Sequence, residues 1–420
     1  MGRIEIKKQA FLWLLICGLG LWAGPKAGDE TIALKGGRVF TAGGGIIDRA
    51  TVLIERGKIS AVAKELAVPK GARIIDASAY SIFPGFIDSF TNLGAAEIET
   101  IERDYDEATS PLTPQLRIID SLNPQNEFIS SARKMGITTA LSAPGTGNLL
   151  SGQSAVIHLA GDTTTEMVIR FPAAVHASLG EEPKMRYGKQ QAQPMTRMGE
   201  AALLRQTLVD VQDYLGQLQS YEKKLTKPEE RPAKPESNFM LQSLVPIIRG
   251  ELPLIILANR LDDILTALRI AEEFKLKIIL NGGSDAYKIK DRLAAGKIPV
   301  LLRPQAAYKL TVETGGALFE NAALLQKAGI KIAFQTGSIN HLGDLLAEAR
   351  QAIEYGLPWQ EALKALTINA AEILGVADQT GSIEKGKSAD LVVFDGNPLA
   401  SAAKVKAVII RGQVVEDRLK

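Results

Sequence analysis

Phe83-Pro84-Gly85-Phe86-Ile87-Asp88-Ser89-Phe90-Thr91-Asn92-Leu93-Gly94 separates two textures in this chain. Pro84 and Gly85 interrupt what precedes them, and Phe86-Ile87 open an apolar run that reads as a buried strand. Upstream lie short β-type segments broken by glycine. Ile32-Ala33-Leu34 meets Gly36-Gly37, Val39-Phe40 meets Gly43-Gly44-Gly45, and Thr51-Val52-Leu53-Ile54 meets Gly57. Ile59–Val62 and Ile74-Ile75-Asp76 complete the set. This spacing predicts a small sheet or sandwich. The C-terminal end has the same texture, in Leu391-Val392-Val393-Phe394, Val408-Ile409-Ile410 and Val414-Val415, with turns at Asp395-Gly396 and Arg411-Gly412. Neither end alone holds enough strands for a core, so the two are expected to build one sheet domain.

Between the ends, strand and helix patterns alternate. Asn123-Pro124 reads as the start of a helix that runs to Met135 and stops at Gly136. Ile137–Leu141, Leu254–Leu257, Lys277–Leu280, Ile298–Leu302 and Ile332–Phe334 read as strands. Asp262 or Asp263 would cap the helix after the second of these, and further helices are expected at Asp285–Ala295 and Asn321–Lys327. Strands apolar on both faces and separated by helices predict a parallel sheet covered by helices. A closed (β/α)8 barrel fits the number of units, with a doubly wound open sheet as the alternative. Residues 181–245 read as an insertion, with an amphipathic helix over about Glu200–Leu225 and a charged, proline-rich loop at 227–237.

The expected organisation is therefore a leader over 1–27, sheet-domain segments over 28–82 and 385–420, and a barrel over 83–384. The leader reading rests on Lys7 and Lys8 before the apolar run Ala10–Ala23, with the small residues Ala23, Gly24 and Ala27 after it. It predicts an exported, periplasmic protein. The alternative is an N-terminal membrane anchor, although the run is short of the ~20 residues of a span. Formal net charge is +2, and Arg3, Lys7 and Lys8 against Glu5 account for it. The remainder is balanced, and nothing in it suggests a nucleic-acid partner, which would need a basic face. Cys17 is the one cysteine and lies within the leader, so the mature chain would carry no thiol. Only three histidines occur, His158, His176 and His341, a scarcity that bears on metal chemistry.

From about Ile32 to Val415 the chain resembles the amidohydrolase superfamily, in particular imidazolonepropionase-like and dihydroorotase-like members. The residues that carry the resemblance are Gly36-Gly37, Glu55-Arg56-Gly57-Lys58-Ile59, Ile75-Asp76, Pro84-Gly85, Thr367-Ile368-Asn369-Ala370-Ala371 and Gly381–Val392. The resemblance implies a β-sandwich from both chain ends beside a barrel. It also implies hydrolysis of carbon–nitrogen bonds other than peptide bonds, with zinc or another divalent metal held at the C-terminal ends of barrel strands.

Against that pattern the metal positions depart one by one. The expected His-x-His is Ser89-Phe90-Thr91. The histidine expected before the Ala258-Asn259-Arg260 run is Leu257. The sixth-strand position falls in Asn281-Gly282-Gly283-Ser284-Asp285-Ala286-Tyr287-Lys288, and the expected Thr-Asp is Thr336-Gly337. Asp88 is kept, at the strand end. A catalytic divalent metal needs about three imidazole, thiolate or carboxylate ligands in one place. Hydroxyls are weak substitutes, and Leu257 and Gly337 offer no donor. The expectation is a metal-free protein with no catalytic residue, acting as a binding or scaffold protein. An active hydrolase of cyclic amides or acyl amino acids with a non-standard or absent metal site is the alternative.

Ser89, Thr91, Asn259, Arg260, Asn281, Ser284, Asp285, Tyr287 and His341 are the candidate pocket residues. They would hold a small polar ligand or a peptide end, although Ser284 or Asp285 also suits a helix cap and His341 a helix start. His158 and His176 read as framework histidines. The acidic run Glu97, Glu99, Glu102, Asp104, Asp106 and Glu107 reads as a solvated loop, lacking a calcium-loop pattern. Expected partners are a second copy of the chain, or an active homologue in a hetero-oligomer.

Overall fold

A computed structural model describes residues 30–97, 104–226, 232–304, 311–400 and 403–419. The expected leader lies outside the described residues, as do Glu99 and Glu102 of the acidic run and residues 227–231 of the expected loop. No helix among the described residues is long and apolar enough to cross a membrane.

Five strands precede the Pro84 turn: β1 (Ile32–Phe40), β2 (Ile46–Glu55), β3 (Lys58–Ala63), β4 (Arg73–Asp76) and β5 (Ser81–Pro84). The next eight are β6 (Phe86–Thr91), β7 (Ile137–Ser142), β8 (Leu150–His158), β9 (Val168–Ser178), β10 (Leu254–Ala258), β11 (Ile278–Gly282), β12 (Val300–Leu302) and β13 (Ile332–Phe334). Three close the chain: β14 (Leu391–Phe394), β15 (Val405–Ile410) and β16 (Gln413–Asp417). The two ends do share one sheet, in the order β16-β15-β14-β5-β1-β2-β3, with β4 on β1. Antiparallel pairing of β14 with β5, Val392 opposite Phe83, joins the halves. Their common core includes Ile32, Val52 and Ile82 from one end and Leu391, Val393 and Ile409 from the other.

The second sheet runs β6 to β13 in chain order and is nearly closed. Its interior takes at least one buried apolar residue from every strand, among them Ile87, Leu141, Val156, Ala174, Ile255, Ile279, Leu301 and Ala333. Ala370, Ala371 and Leu374, from the expected Thr367–Ala371 framework run and the residues after it, pack on the same cluster. Gly85 starts the ring because nothing larger fits. A Cβ there would lie 2.0 Å from Thr138 Oγ1, and the Gly85 N–H donates to the Asp390 carbonyl at 2.8 Å.

The ring is not uniformly parallel, as the strand–helix alternation predicted. β8 runs antiparallel to both β7 and β9. The segment from Ala143 to Leu149 is too short for a helical crossover, which needs a dozen residues or more, so the chain must turn back on itself. The helix expected from Asn123 begins later, at Glu127–Lys134, with Asn126 accepting the Phe128 N–H at 3.0 Å. Asn123 instead makes a turn of its own, accepting from Gln125 N–H at 2.9 Å. The helix expected at Asp285–Ala295 is a 3-10 turn (Ala286–Ile289) followed by one short helix (Lys290–Ala295). The insertion carries helices Glu181–Gly188, Arg197–Leu225 and Phe239–Ile248.

Candidate functional site

The family-type site would lie where the parallel strands end. Ser89 is buried there, and its hydroxyl donates to the Phe334 carbonyl at 2.7 Å, stitching β6 to β13 across the closing seam. That hydroxyl is a structural donor, which disagrees with a pocket role. Asp88 reinforces the seam, accepting from the Thr336 N–H at 3.0 Å and the Thr336 hydroxyl at 2.5 Å. Gly337 N–H donates to the Phe90 carbonyl at 3.0 Å. Burial pushes the Asp88 carboxyl up to about 6, against the Thr336 bonds and the nearby Arg303 charge, which favour the anion. Thr91 is buried, and its hydroxyl finds no partner among the described residues.

The β10 and β11 ends bring three of the expected residues together. Asn259 accepts from the Ser284 hydroxyl at 3.1 Å, and Asn281 accepts from the Gln335 side-chain amide. Gly282 lies beneath Asn259, where a Cβ would be 2.4 Å from Asn259 Oδ1. The other expected residues have structural partners. Arg260 clasps Asp262 at 2.9 and 3.0 Å on the surface. Asp285 accepts the Leu261 N–H at 3.0 Å and pairs with Lys288 at 2.7 Å. It therefore caps the helix Leu261–Phe274, a role expected of Asp262 or Asp263. Asp263 is drawn away to Arg197, at 2.9 Å, which also binds Glu181 and Glu313 and ties the insertion to the barrel rim. Tyr287 donates to the Gly316 carbonyl at 3.2 Å. His341 stands on the surface beside Asp344 at 3.0 Å, apart from the strand-end cluster.

Sequence reasoning passed over two residues here, Gln335 and Arg303. Gln335 holds Asn281 and also donates to the Leu301 carbonyl at 3.1 Å. Arg303 follows β12 and lies against Gly337, where a Cβ would be 3.3 Å from Arg303 Cδ. A polar residue directly after a barrel strand was the signal available for both. His176, on β9, is the imidazole of the barrel interior, 5.5 Å between ring centres from Phe90. Burial pushes it down to about 3, so it is neutral, and its Nε2 has no partner among the described residues.

These residues do not fit a catalytic divalent ion. Ser89 Oγ is engaged, Leu257, Gly282 and Gly337 carry no donor, and a guanidinium lies against the eighth-strand position. Among the described residues no group of three or more His, Cys, Asp or Glu side chains is placed to hold a metal ion. A cavity at this end, lined by Gly282, Arg303 and Asn321 among others, holds about 20 Å³, room for one water. The acidic run is engaged in part: Asp106 pairs with Arg186 at 2.5 Å and Glu97 accepts from Asn123 at 2.8 Å.

A strand ring joined to a sheet from both chain ends is a barrel-and-sandwich architecture. The model of the amidohydrolase family matches residues 264–415. The crystal structure of an amidohydrolase from Thermotoga maritima is 34% identical and superposes with a TM-score of 0.86, covering 92% of this chain and all of that one (100%). The chain belongs to the amidohydrolase family, whose members are usually metal-dependent. It is 26% identical over 403 residues to amidohydrolase tasK of Hapsidospora irregularis, 86% of this chain but only 39% of tasK. It is 24% identical over 385 residues to an imidazolonepropionase of Porphyromonas gingivalis, 85% of each chain.

Proposed function

We propose that this chain is an amidohydrolase-family protein that has lost metal-dependent hydrolysis and acts as an exported binding or scaffold protein. The single observation that carries the reading is the seam: Ser89 is spent on Phe334 where a metal ligand would stand. With no ligand set there is no acidified water and no Lewis acid for a carbonyl, and with Gly337 no carboxylate stands ready as a base. A scaffold role would have the chain support an active homologue in a hetero-oligomer, or pair with a second copy.

The test combines elemental analysis of the purified protein with hydrolysis of a panel of cyclic amides and acyl amino acids, with zinc or manganese added. Substoichiometric metal and background rates are expected. The double change Ser89→His and Thr91→His is expected to leave the rate at background too. Two imidazoles make an incomplete set, and Leu257 and Gly337 still contribute nothing. Clear metal-dependent turnover by the unmutated protein would overturn the proposal. It would favour the second reading, a hydrolase of cyclic amides, which the name of the imidazolonepropionase relative suggests.

Export rests on the residues before Asp29. Processing is expected to remove residues 1–23 to 1–27. Amino-terminal sequencing of protein from the native host reads this directly, and a mature chain that begins at Met1 or Gly2 sinks the claim.

A further inference from the structure

Two hairpins of the composite sheet end in the same dipeptide. Arg56-Gly57 joins β2 to β3, and Arg411-Gly412 joins β15 to β16. In both the arginine and the glycine take positive φ, 51° and 73° in the first, 50° and 74° in the second. This is the twist that suits a two-residue hairpin. The tips touch. A Cβ on Gly57 would lie 2.7 Å from the Arg411 carbonyl oxygen, and one on Gly412 would lie 2.8 Å from Gly57 Cα. Ala389 runs between them, donating to the Gly57 carbonyl at 2.9 Å and accepting from Gly412 N–H at 3.2 Å.

Beside this junction the reversed strand β8 delivers His158. Had β8 run parallel, its last residue would stand at the mouth of the barrel; reversed, it emerges at the base, against the composite sheet. His158 is nine-tenths buried, and its Nδ1 lies 3.6 Å from Asp390 Oδ2 without a hydrogen bond. Asp390 is already engaged by Thr380 at 2.8 Å and by Ser388 and the Arg411 N–H at 2.9 Å.

His158 and both hairpin tips line a cavity of about 950 Å³, large enough for a small-molecule ligand. Its cations are Arg56, Lys58 and Arg411, and its anions are Asp162, Glu166 and Asp378. Among the described residues none of the six has an opposite charge within 4.0 Å. Arg411 is the most firmly placed. Backbone carbonyls hold its guanidinium, Glu166 at 2.9 Å and Ala160 at 3.2 Å, so it is oriented but not neutralised. A half-buried, oriented and uncompensated guanidinium is suited to receive a carboxylate. The carboxylates in the same lining suit an ammonium on the same molecule.

We propose that this junction cavity binds a small zwitterion, an α-amino acid or short peptide, with its carboxylate on Arg411, Arg56 and Lys58 and its ammonium toward Asp162 and Asp378. The site stands apart from the barrel mouth and holds whether or not that mouth is catalytic.

The three histidines supply the assay, because each reports a different place: His158 the cavity, His176 the barrel interior, His341 the surface beside Asp344. The full chain, with its histidine rings labelled, is titrated with leucine, glutamate and alanyl-alanine. Acetate and methylammonium serve as single-charge controls, and the imidazole resonances are followed by NMR. A saturable shift of the His158 signal is expected with at least one zwitterion, with His176 and His341 stationary. Each control alone is expected to bind roughly tenfold or more weakly. Arg411→Gln is expected to weaken binding by roughly tenfold or more. The double change Arg56→Gln with Lys58→Gln does the same, and because both side chains are exposed it leaves the melting temperature unchanged. A His158 signal that none of the probes moves overturns the proposal. So does binding that the double variant leaves intact, and acetate binding as tightly as the amino acids would replace the zwitterion site by a plain anion site.

Discussion

A chain ended at Lys387 is expected to lose the order of residues 31–82 together with the strands it lacks. β14 is the seam between the two chain ends. Its four residues pair with β5 on one edge and β15 on the other. Without it, Leu391, Val393, Ala407 and Ile409 leave the shared core, each of them 0% exposed. Phe394 leaves the aromatic cluster as well, where it meets Phe83 and Phe86 at 5.8 Å between ring centres. Burying a side chain such as Leu, Ile, Val or Phe contributes roughly 1.5–3 kcal/mol. A handful of such losses equals the roughly 5–15 kcal/mol by which a domain is stable. β1 to β5 cannot make up the difference, because the remaining core faces the gap. Hydrogen exchange measures the outcome: amides of residues 31–82 should exchange near unprotected rates in the truncated chain. Native protection there would show that the N-terminal strands hold a core of their own.

Most of this architecture was legible because it is written in local chemistry. Pro84-Gly85 marks the handover, and the structure supplies the reason for Gly85 in its contact with Thr138. The glycine-punctuated strands at both ends read correctly as halves of one sheet. The reversal of β8 was not legible, because the apolar part of Leu150–His158, Ala155-Val156-Ile157, would suit a parallel strand as well. Only the short link before it says otherwise, and link length depends on knowing where the strands end. The same limit applied to Asn123 and Asn126. Both are asparagines that bond the N–H two residues on, so either looks like a helix cap.

At the mouth, what a side chain lacks could be read directly, as with Leu257 and Gly337. Which polar groups are already taken could not. The Asn281–Gln335 and Ser89–Phe334 bonds join residues distant in sequence, and Asp285 caps a helix that begins before it in the chain. The junction cavity was hidden for the same reason. Arg56-Gly57 and Arg411-Gly412 each look like ordinary turn punctuation, and only the fold places one against the other.

Replacing Asp88 by alanine is expected to open the barrel seam, and replacing it by asparagine to flatten the dependence of stability on pH. Thr336 is wholly buried and gives both its N–H and its hydroxyl to Asp88. Asp88→Ala leaves both donors in a dry site, at about 1–3 kcal/mol for each group left unpaired. The Ser89 and Gly337 bonds keep the strands adjacent, so a weakened fold is expected rather than none. The pH effect follows from where the carboxyl titrates. Its ordinary value is 3.8, and burial raises it to about 6 in the folded chain. Below the ordinary value the group is protonated in both states, and its contribution to stability is fully present. As pH rises, the unfolded chain ionises first while the folded chain holds its proton, so stability falls. The loss is complete once pH has passed the folded value, and it amounts to roughly 2–3 kcal/mol at 1.36 kcal/mol per unit. Glu200, raised by burial to about 7, acts in the same direction, so the informative quantity is the difference between proteins. The amide side chain of the Asp88→Asn variant does not titrate. Urea unfolding at pH 4.5 and pH 7.5 should therefore show a smaller drop for Asp88→Asn than for the unmutated chain. An equal drop in both would mean that Asp88 is already ionised in the folded protein near pH 4, held so by Thr336 and Arg303 in spite of its burial.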